Sequence, residues 1–334
     1  MGGRLIPLTD RRDGRGQARL AALAGGRLEV GAAGPLVYDS TGTPYLDCAG
    51  ATLLGHRHPA VVAAVADQLH RRPVASGMLL DPLLAGAAAA LAEVTPPGLD
   101  FVHFTHDAVA EAVRLARRHG ADRVVRPGPA ELPAVTGERC CAVLAADSPL
   151  LAESVRLCRA YGALVVLDET RTGLGRTGRW WAAAAEVDPD VLCVGGSLSG
   201  GVVPVEAIAT AAHLLHAYEP ATPATPIALA AATAALRAIR DDRLLERAAL
   251  LGAGLLADLA GLVENPGVAG VRGAGLLIDI DCASAEVAQR YALALLDHQV
   301  LAATTGATVH LAPPATLTEP HLAWLLGAAV LLGR

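Results

Sequence analysis

Apolar positions along the middle of the chain follow two alternating rhythms. Residues 140–145 (CCAVLA) and 163–167 (ALVVL) are continuous apolar runs of strand length. Between them Leu151, Val155 and Cys158 recur at helical spacing, and Gly162 stops the repeat. Strand, helix and strand with short joins predict a right-handed βαβ unit, and so a mostly parallel sheet over roughly 55–235. An earlier helix is predicted where Val61, Val62, Val65 and Leu69 follow Pro59, which suits a first helical turn. Before it, residues 1–50 are Gly-rich and turn-punctuated, with a hairpin signal over 35–46 (PLVY, DSTG, then PYL). From about 240 the rhythm becomes α+β. Val268 to Ile280 and Thr308 to Leu311 are strand candidates, and helices are predicted over Ser284–Leu296, with Ser284 as N-cap, and over Glu319–Leu332. The Pro-rich piece Pro220 to Pro226 is read as a loop. The predicted organisation is an N-terminal segment 1–52, a large α/β domain 53–238 and a small α+β domain 239–334 that the N-terminal segment joins.

Composition narrows the function classes. The 334 residues are 53% hydrophobic and 18% charged, which suits a well-buried globule. A net charge of −6 with 3% aromatic residues offers neither a phosphate-tracking patch nor a stacking platform, so no nucleic-acid partner is expected. The most apolar stretch, Leu322 to Gly333, is too short to span a bilayer, so no membrane partner is expected either. Cys48, Cys140, Cys141, Cys158, Cys193 and Cys282 show no CxxC spacing, which predicts buried thiols, no metal site and a cytoplasmic setting. Every one of the 27 basic residues is arginine; the chain has no lysine.

Candidate chemistry concentrates after the second apolar run. Asp168 and Glu169 fall at the carboxyl end of a central parallel strand, where open α/β sheets place their ligands. A loop with three glycines and two arginines follows at 170–178 (TRTGLGRTG). Glycines permit tight backbone there, and arginine pairs bidentately with carboxylate or phosphate.

The stretch 166–178 (VLDETRTGLGRTG) closely resembles the DEVQTGFGRTG segment of class III aminotransferases. Residues 45–47 (YLD), 55–59 (GHRHP) through Gln68, Pro189-Asp190, 226–236, 271–275 (VRGAG) and 310–314 (HLAPP) are similar to that family's other landmarks, in order. The resemblance implies the pyridoxal-phosphate (PLP) transferase fold of type I, with a large α/β domain, a small domain drawn from both termini, and a homodimer. It makes Asp168 the partner of the cofactor's pyridine nitrogen. It also marks departures. Thr170 and Arg171 replace a valine that packs on the ring and a glutamine near its hydroxyl. Gly196, beside Ser197, stands where the Schiff-base lysine is expected. The helix beginning at His106-Asp107 lacks the small-residue phosphate turn, and the aromatic-His-Gly motif expected between Arg117 and Cys140 is missing. His310 replaces a substrate-binding arginine.

These departures predict a protein that has lost transamination. The first reading is a repurposed, cofactor-independent enzyme of specialised biosynthesis acting on a small molecule. Asp168, His310, Glu169 and His106 would be its acid–base residues, and Arg171, Thr170, Gly196 and Ser197 its substrate contacts. The second is a non-catalytic subunit or binding partner of an active paralogue. The third is a lysine-free enzyme holding PLP noncovalently. No cofactor is the expectation of the first two.

Overall fold

The computed structural model describes residues 27–50, 52–76, 78–126, 139–214 and 224–330. The expectations for residues 1–26, for the stretch 127–138, for most of the Pro220 loop and for the last residues of the C-terminal helix lie outside the described residues.

The chain opens with β1 (Glu29–Ala33), β2 (Leu36–Asp39) and β3 (Pro44–Asp47). The turn between β2 and β3 is the predicted hairpin, tied by Asp39 Oδ1, which accepts from Thr41 N at 2.8 Å and Thr43 N at 3.0 Å. Helices Pro59–Arg71 and Pro82–Ala92 lead into β4 (Phe101–Thr105), and helix Ala108–Arg118 into β5 (Arg123–Val125). The predicted βαβ unit follows as β6 (Cys140–Ala145), helix Leu151–Tyr161 and β7 (Leu164–Glu169), with Gly162 ending the helix at φ +67°. Then come β8 (Val191–Val194) and β9 (Glu206–Thr210). These strands form one six-stranded sheet in the order β4-β9-β8-β7-β6-β5. Pairs β5/β6, β6/β7 and β7/β8 are parallel, while β9 runs against both of its neighbours. The reversal has a simple cause: the link over 195–205 holds one short 3-10 turn and is too brief for a parallel crossover.

The sheet is covered on both faces, and strand alternation decides which residue meets which cover. Val165 and Leu167 of β7 join a large core with Leu229 and Ile239 of helix Pro226–Asp241. Val166, one residue out of phase, joins a second core with Ala108, Ala112 and Leu115 of helix Ala108–Arg118. Val191, Cys193 and Ile208 lie on that same face.

After helix Leu244–Leu259 the tail adds β10 (Val268–Ala274), β11 (Leu277–Cys282), helix Ala285–Asp297, β12 (Val300–Leu301), β13 (Ala303–Thr305), β14 (Thr308–Leu311) and helix Glu319–Val330. The single strand expected over Val268–Ile280 is two. Gly275, at φ +53°, turns the chain between them, and a Cβ there would sit 2.5 Å from the Thr177 carbonyl carbon. Ser284 caps its helix as predicted, accepting from Val287 N at 3.3 Å. The sheet β10-β11-β14-β13 is antiparallel, and β12 pairs with β3, so both ends of the chain build the smaller α+β part. No helix among the described residues is long and apolar enough to cross a membrane.

Candidate active site

Alternation along β7 separates the two acidic candidates. Asp168 is two residues beyond Val166 and so faces helix Ala108–Arg118; Glu169 faces the opposite side. Asp168 Oδ1 accepts from Thr170 N at 3.0 Å and Thr170 Oγ1 at 2.6 Å, which fixes the carboxylate at the strand's end. It also lines a cavity of about 150 Å³ whose other walls come from β6, Ser148, helix Leu151–Tyr161 and Arg126, and which Thr170, Gly196 and His310 do not line. Glu169, 1% exposed, instead accepts from Thr172 Oγ1 at 2.5 Å and from Ala182, Ala183 and Ala184 N at 3.0, 2.8 and 3.2 Å. Its lone pairs are engaged in holding the Gly-rich loop against residues 182–184. The geometry therefore gives Glu169 a folding role and no reacting partner.

β8 ends at Val194; Gly195 follows it and Gly196 opens the 3-10 turn Gly196–Ser199. A Cβ on Gly195 would lie 2.1 Å from Thr170 O, so only glycine lets the two strand exits meet. Gly196 is exposed, and a Cβ there would come within 3.9 Å of Glu206 Oε1. Ser197 is half-buried in the 3-10 turn that follows.

Glu206 was not among the sequence candidates. It lies two residues before Ile208, hence on the Asp168 face of the sheet. Its Oε2 accepts from Ala108 N at 2.7 Å, at the N-terminus of helix Ala108–Arg118. Asp107 caps the same helix, accepting from Ala110 N at 2.9 Å, and His106 is exposed just before it. Burial raises the Glu206 carboxyl above its usual range; the Ala108 N–H opposes this, and the charges of Asp107 and Asp168 reinforce it. Burial also pushes the neighbouring Cys193 thiol well up, with Asp168 and Glu206 adding to it. Carboxylates thus occupy a helix end whose dipole favours an anion.

A second group gathers Arg171 and His310. Register places Arg272, Asp279 and His310 side by side across β10, β11 and β14. Asp279, 5% exposed, accepts from His310 Nδ1 at 2.6 Å, from Arg171 at 2.9 Å and from Arg272 at 2.9 Å. Arg171 also bonds Asp147, just past β6. The structure therefore joins Asp168 and Thr170 in one group and Arg171 and His310 in another, and sets Gly196 nearest to Glu206. Glu169 belongs to neither. Asp279 and Arg272 were also missed, although the LIDIDC alternation of β11 already sets Asp279 opposite its apolar neighbours. Among the described residues no group of three or more His, Cys, Asp or Glu is placed to hold a metal ion.

Comparison with known proteins extends this picture. Residues 133–330 match the family model of the class-III aminotransferases. The chain is 32% identical to the putrescine aminotransferase of Pectobacterium atrosepticum, covering 91% of this chain and 82% of that protein. It superimposes on the acetylornithine aminotransferase of Elizabethkingia anophelis with a TM-score of 0.82 and 26% identity, over 95% and 98% of the two chains. The ornithine aminotransferase of Toxoplasma gondii gives a TM-score of 0.81 at 25% identity, over 92% and 91%. Another structure of that enzyme holds PLP at partial occupancy in its active site. The expectation of a cofactor-free pocket is corrected by these findings: the family and the relatives are those of PLP-dependent aminotransferases, and PLP is the cofactor they point to.

Proposed function

The chain belongs to the class III aminotransferases, and we propose that within this family it binds PLP without a covalent link and uses it for a reaction other than lysine-dependent transamination, in specialised biosynthesis. The observation that carries this reading is Gly196. It opens the 3-10 turn after β8, where the resemblance to the family expects the lysine, and no lysine exists anywhere in the chain to replace it.

The residues present fit the cofactor at one end. Asp168, held by Thr170 N–H and hydroxyl at the carboxyl end of β7, would pair with the pyridine nitrogen. At the covalent end they do not fit, since Gly196 has no amine to offer. When bound, PLP supplies an electron sink for a substrate carbanion. The chain's own groups do the rest. Asp168 would keep the ring nitrogen protonated. Asp279 accepts from Nδ1 of His310, which orients the imidazole and leaves Nε2 as the atom that takes or returns a proton. Arg171, pinned by Asp279 and Asp147, presents a guanidinium suited to a substrate carboxylate or phosphate.

Titration with PLP, followed by fluorescence of Trp180 and Trp181, tests the reading. Saturable binding in the wild type, weakened about tenfold or more in Asp168→Asn, is the expected result. Equal affinity in the two proteins would remove Asp168 as the anchor and with it the proposal.

A further inference from the structure

We propose that a cavity of about 330 Å³ between helices Pro82–Ala92 and Pro226–Asp241 is a second small-molecule site, for an aromatic carboxylate whose ring lies against Trp180 and whose carboxylate pairs with Arg237. The site is independent of the cofactor reading, because both helices pack on the Leu167 face of the sheet, opposite to Asp168.

Helical spacing brings the walls together. Gly86, Ala89, Ala90 and Glu93 follow one side of helix Pro82–Ala92 and its C-cap, and Arg237 and Arg240 meet them from the last turns of helix Pro226–Asp241. Trp180 lines a third side. Its neighbour Trp181 donates Nε1 to Val94 O at 2.5 Å, which ties the two indoles to the end of the first helix. The volume falls within the range of about 300–1,000 Å³ that small-molecule pockets occupy.

The lining groups define the ligand. Among the described residues Arg237 has no hydrogen-bond or ion-pair partner, whereas Arg240, one turn on, pairs with Glu93 at 3.5 Å and Asp241 at 3.3 Å. Trp180 Nε1 is likewise without a partner among them, while the other two indoles donate to Val94 O and His298 O. A free guanidinium beside an indole suits a planar anion. Arginine pairs bidentately with a carboxylate, and tryptophan offers an aromatic surface with a polar N–H. Two arginines and one glutamate leave a single net positive charge, which matches a carboxylate better than a phosphate ester of nearly two negative charges. Gly86 keeps the space open. Nothing lies within 4 Å of a Cβ built there, so no contact demands glycine, and glycine inside a helix is disfavoured against alanine.

Calorimetric titration of the whole protein with 2-naphthoate tests the site, beside 2-naphthol, cyclohexanecarboxylate and 2-naphthyl phosphate. Wild type should bind one 2-naphthoate. The neutral ring and the ringless anion should each bind about tenfold more weakly, the scale of one charge-assisted pair or one aromatic contact. The phosphate ester should bind no more tightly than the carboxylate. Arg237→Ala, an exposed position, should weaken 2-naphthoate about tenfold or more, and Arg237→Lys should recover part of the loss. Gly86→Leu fills the cavity while favouring the helix, so binding should vanish with Tm kept or raised. Asp168→Asn should bind 2-naphthoate as wild type does. No saturable binding by wild type, or equal affinity in wild type, Arg237→Ala and Gly86→Leu, would overturn the site. Tighter binding of 2-naphthyl phosphate would overturn the choice of a carboxylate. A loss in Asp168→Asn as large as that in Arg237→Ala would put the ligand in the cofactor cleft and overturn the proposal, whatever became of PLP binding.

Discussion

Glu169→Ala removes a carboxylate whose structural burden can be counted. Its four acceptor contacts go to Thr172 Oγ1 and Ala182 N through Oε2, and to Ala183 and Ala184 N through Oε1, all at 2.5–3.2 Å. The side chain is 1% exposed, so water cannot easily replace it. Truncation leaves three backbone N–H groups without their acceptor, each costing about 1–3 kcal/mol when buried. Partial relaxation around them makes a total of about 3–6 kcal/mol reasonable, against a typical domain stability of about 5–15 kcal/mol. Glu169→Gln is graded. Its amide oxygen still serves Ala183 and Ala184, and its NH₂ can donate to the Thr172 hydroxyl, but it faces the Ala182 N–H donor to donor. The cost should be about 1–3 kcal/mol, that of a single stranded donor. Urea unfolding followed by far-UV circular dichroism measures both, with the m-value checked for constancy. A loss below about 1 kcal/mol in the alanine variant would refute this reasoning. So would a glutamine variant as damaged as alanine, because that would point to the charge and not to the count of donors.

Other consequences can be checked in the same preparation. Gly195→Ala drives a Cβ to 2.1 Å from Thr170 O, so the Asp168 loop must shift; about 1–3 kcal/mol of stability and a measurable part of PLP affinity should be lost, and wild-type behaviour in urea would contradict the close approach. Asp279→Ala removes the buried acceptor of His310 Nδ1 and one partner each of Arg171 and Arg272, which keep Asp147 and Asp281; it should cost about 1–3 kcal/mol by urea unfolding, with Asp279→Asn milder. His56 is held above its usual value by its contact with Asp47 at 2.8 Å, which outweighs the opposing effect of burial. The sign follows from linkage: a raised histidine adds stability that is fully present below its unfolded value near 6.5 and is lost as pH rises through its folded value. Tm against pH should therefore fall over that window in wild type and flatten in Asp47→Asn; parallel curves would exclude the pair as the cause.

Much of the architecture could be read from apolar rhythm because that rhythm and the fold obey one constraint, burial. The runs at 140–145 and 163–167 are strands since both faces of the sheet are covered, and Gly162 stops the helix between them because it alone adopts φ +67° there without strain. The reversal of β9 escaped the pattern, since an apolar run carries no direction; only the shortness of the link after β8 fixes it. Among site residues, Asp168 was legible from its place at a strand end. Glu169 was read as an acid–base residue at the same strand end, although strand alternation sends consecutive residues to opposite faces. Glu206, Asp279 and Arg272 were missed for another reason. Each acts through a contact between elements far apart in sequence, as Glu206 does with Ala108, and nothing local announces such a contact.

Borohydride reduction followed by intact mass tests most directly whether the cofactor is held without a covalent bond. PLP at saturation is added to wild type and to Gly196→Lys, whose new side chain starts 3.9 Å from Glu206 with no closer obstruction. After reduction, wild type should keep its apoprotein mass even though its fluorescence reports full binding, whereas the lysine variant should gain the mass of one reduced cofactor. A cofactor adduct on the wild-type chain, or a wild type that shows no binding at all, would contradict the account.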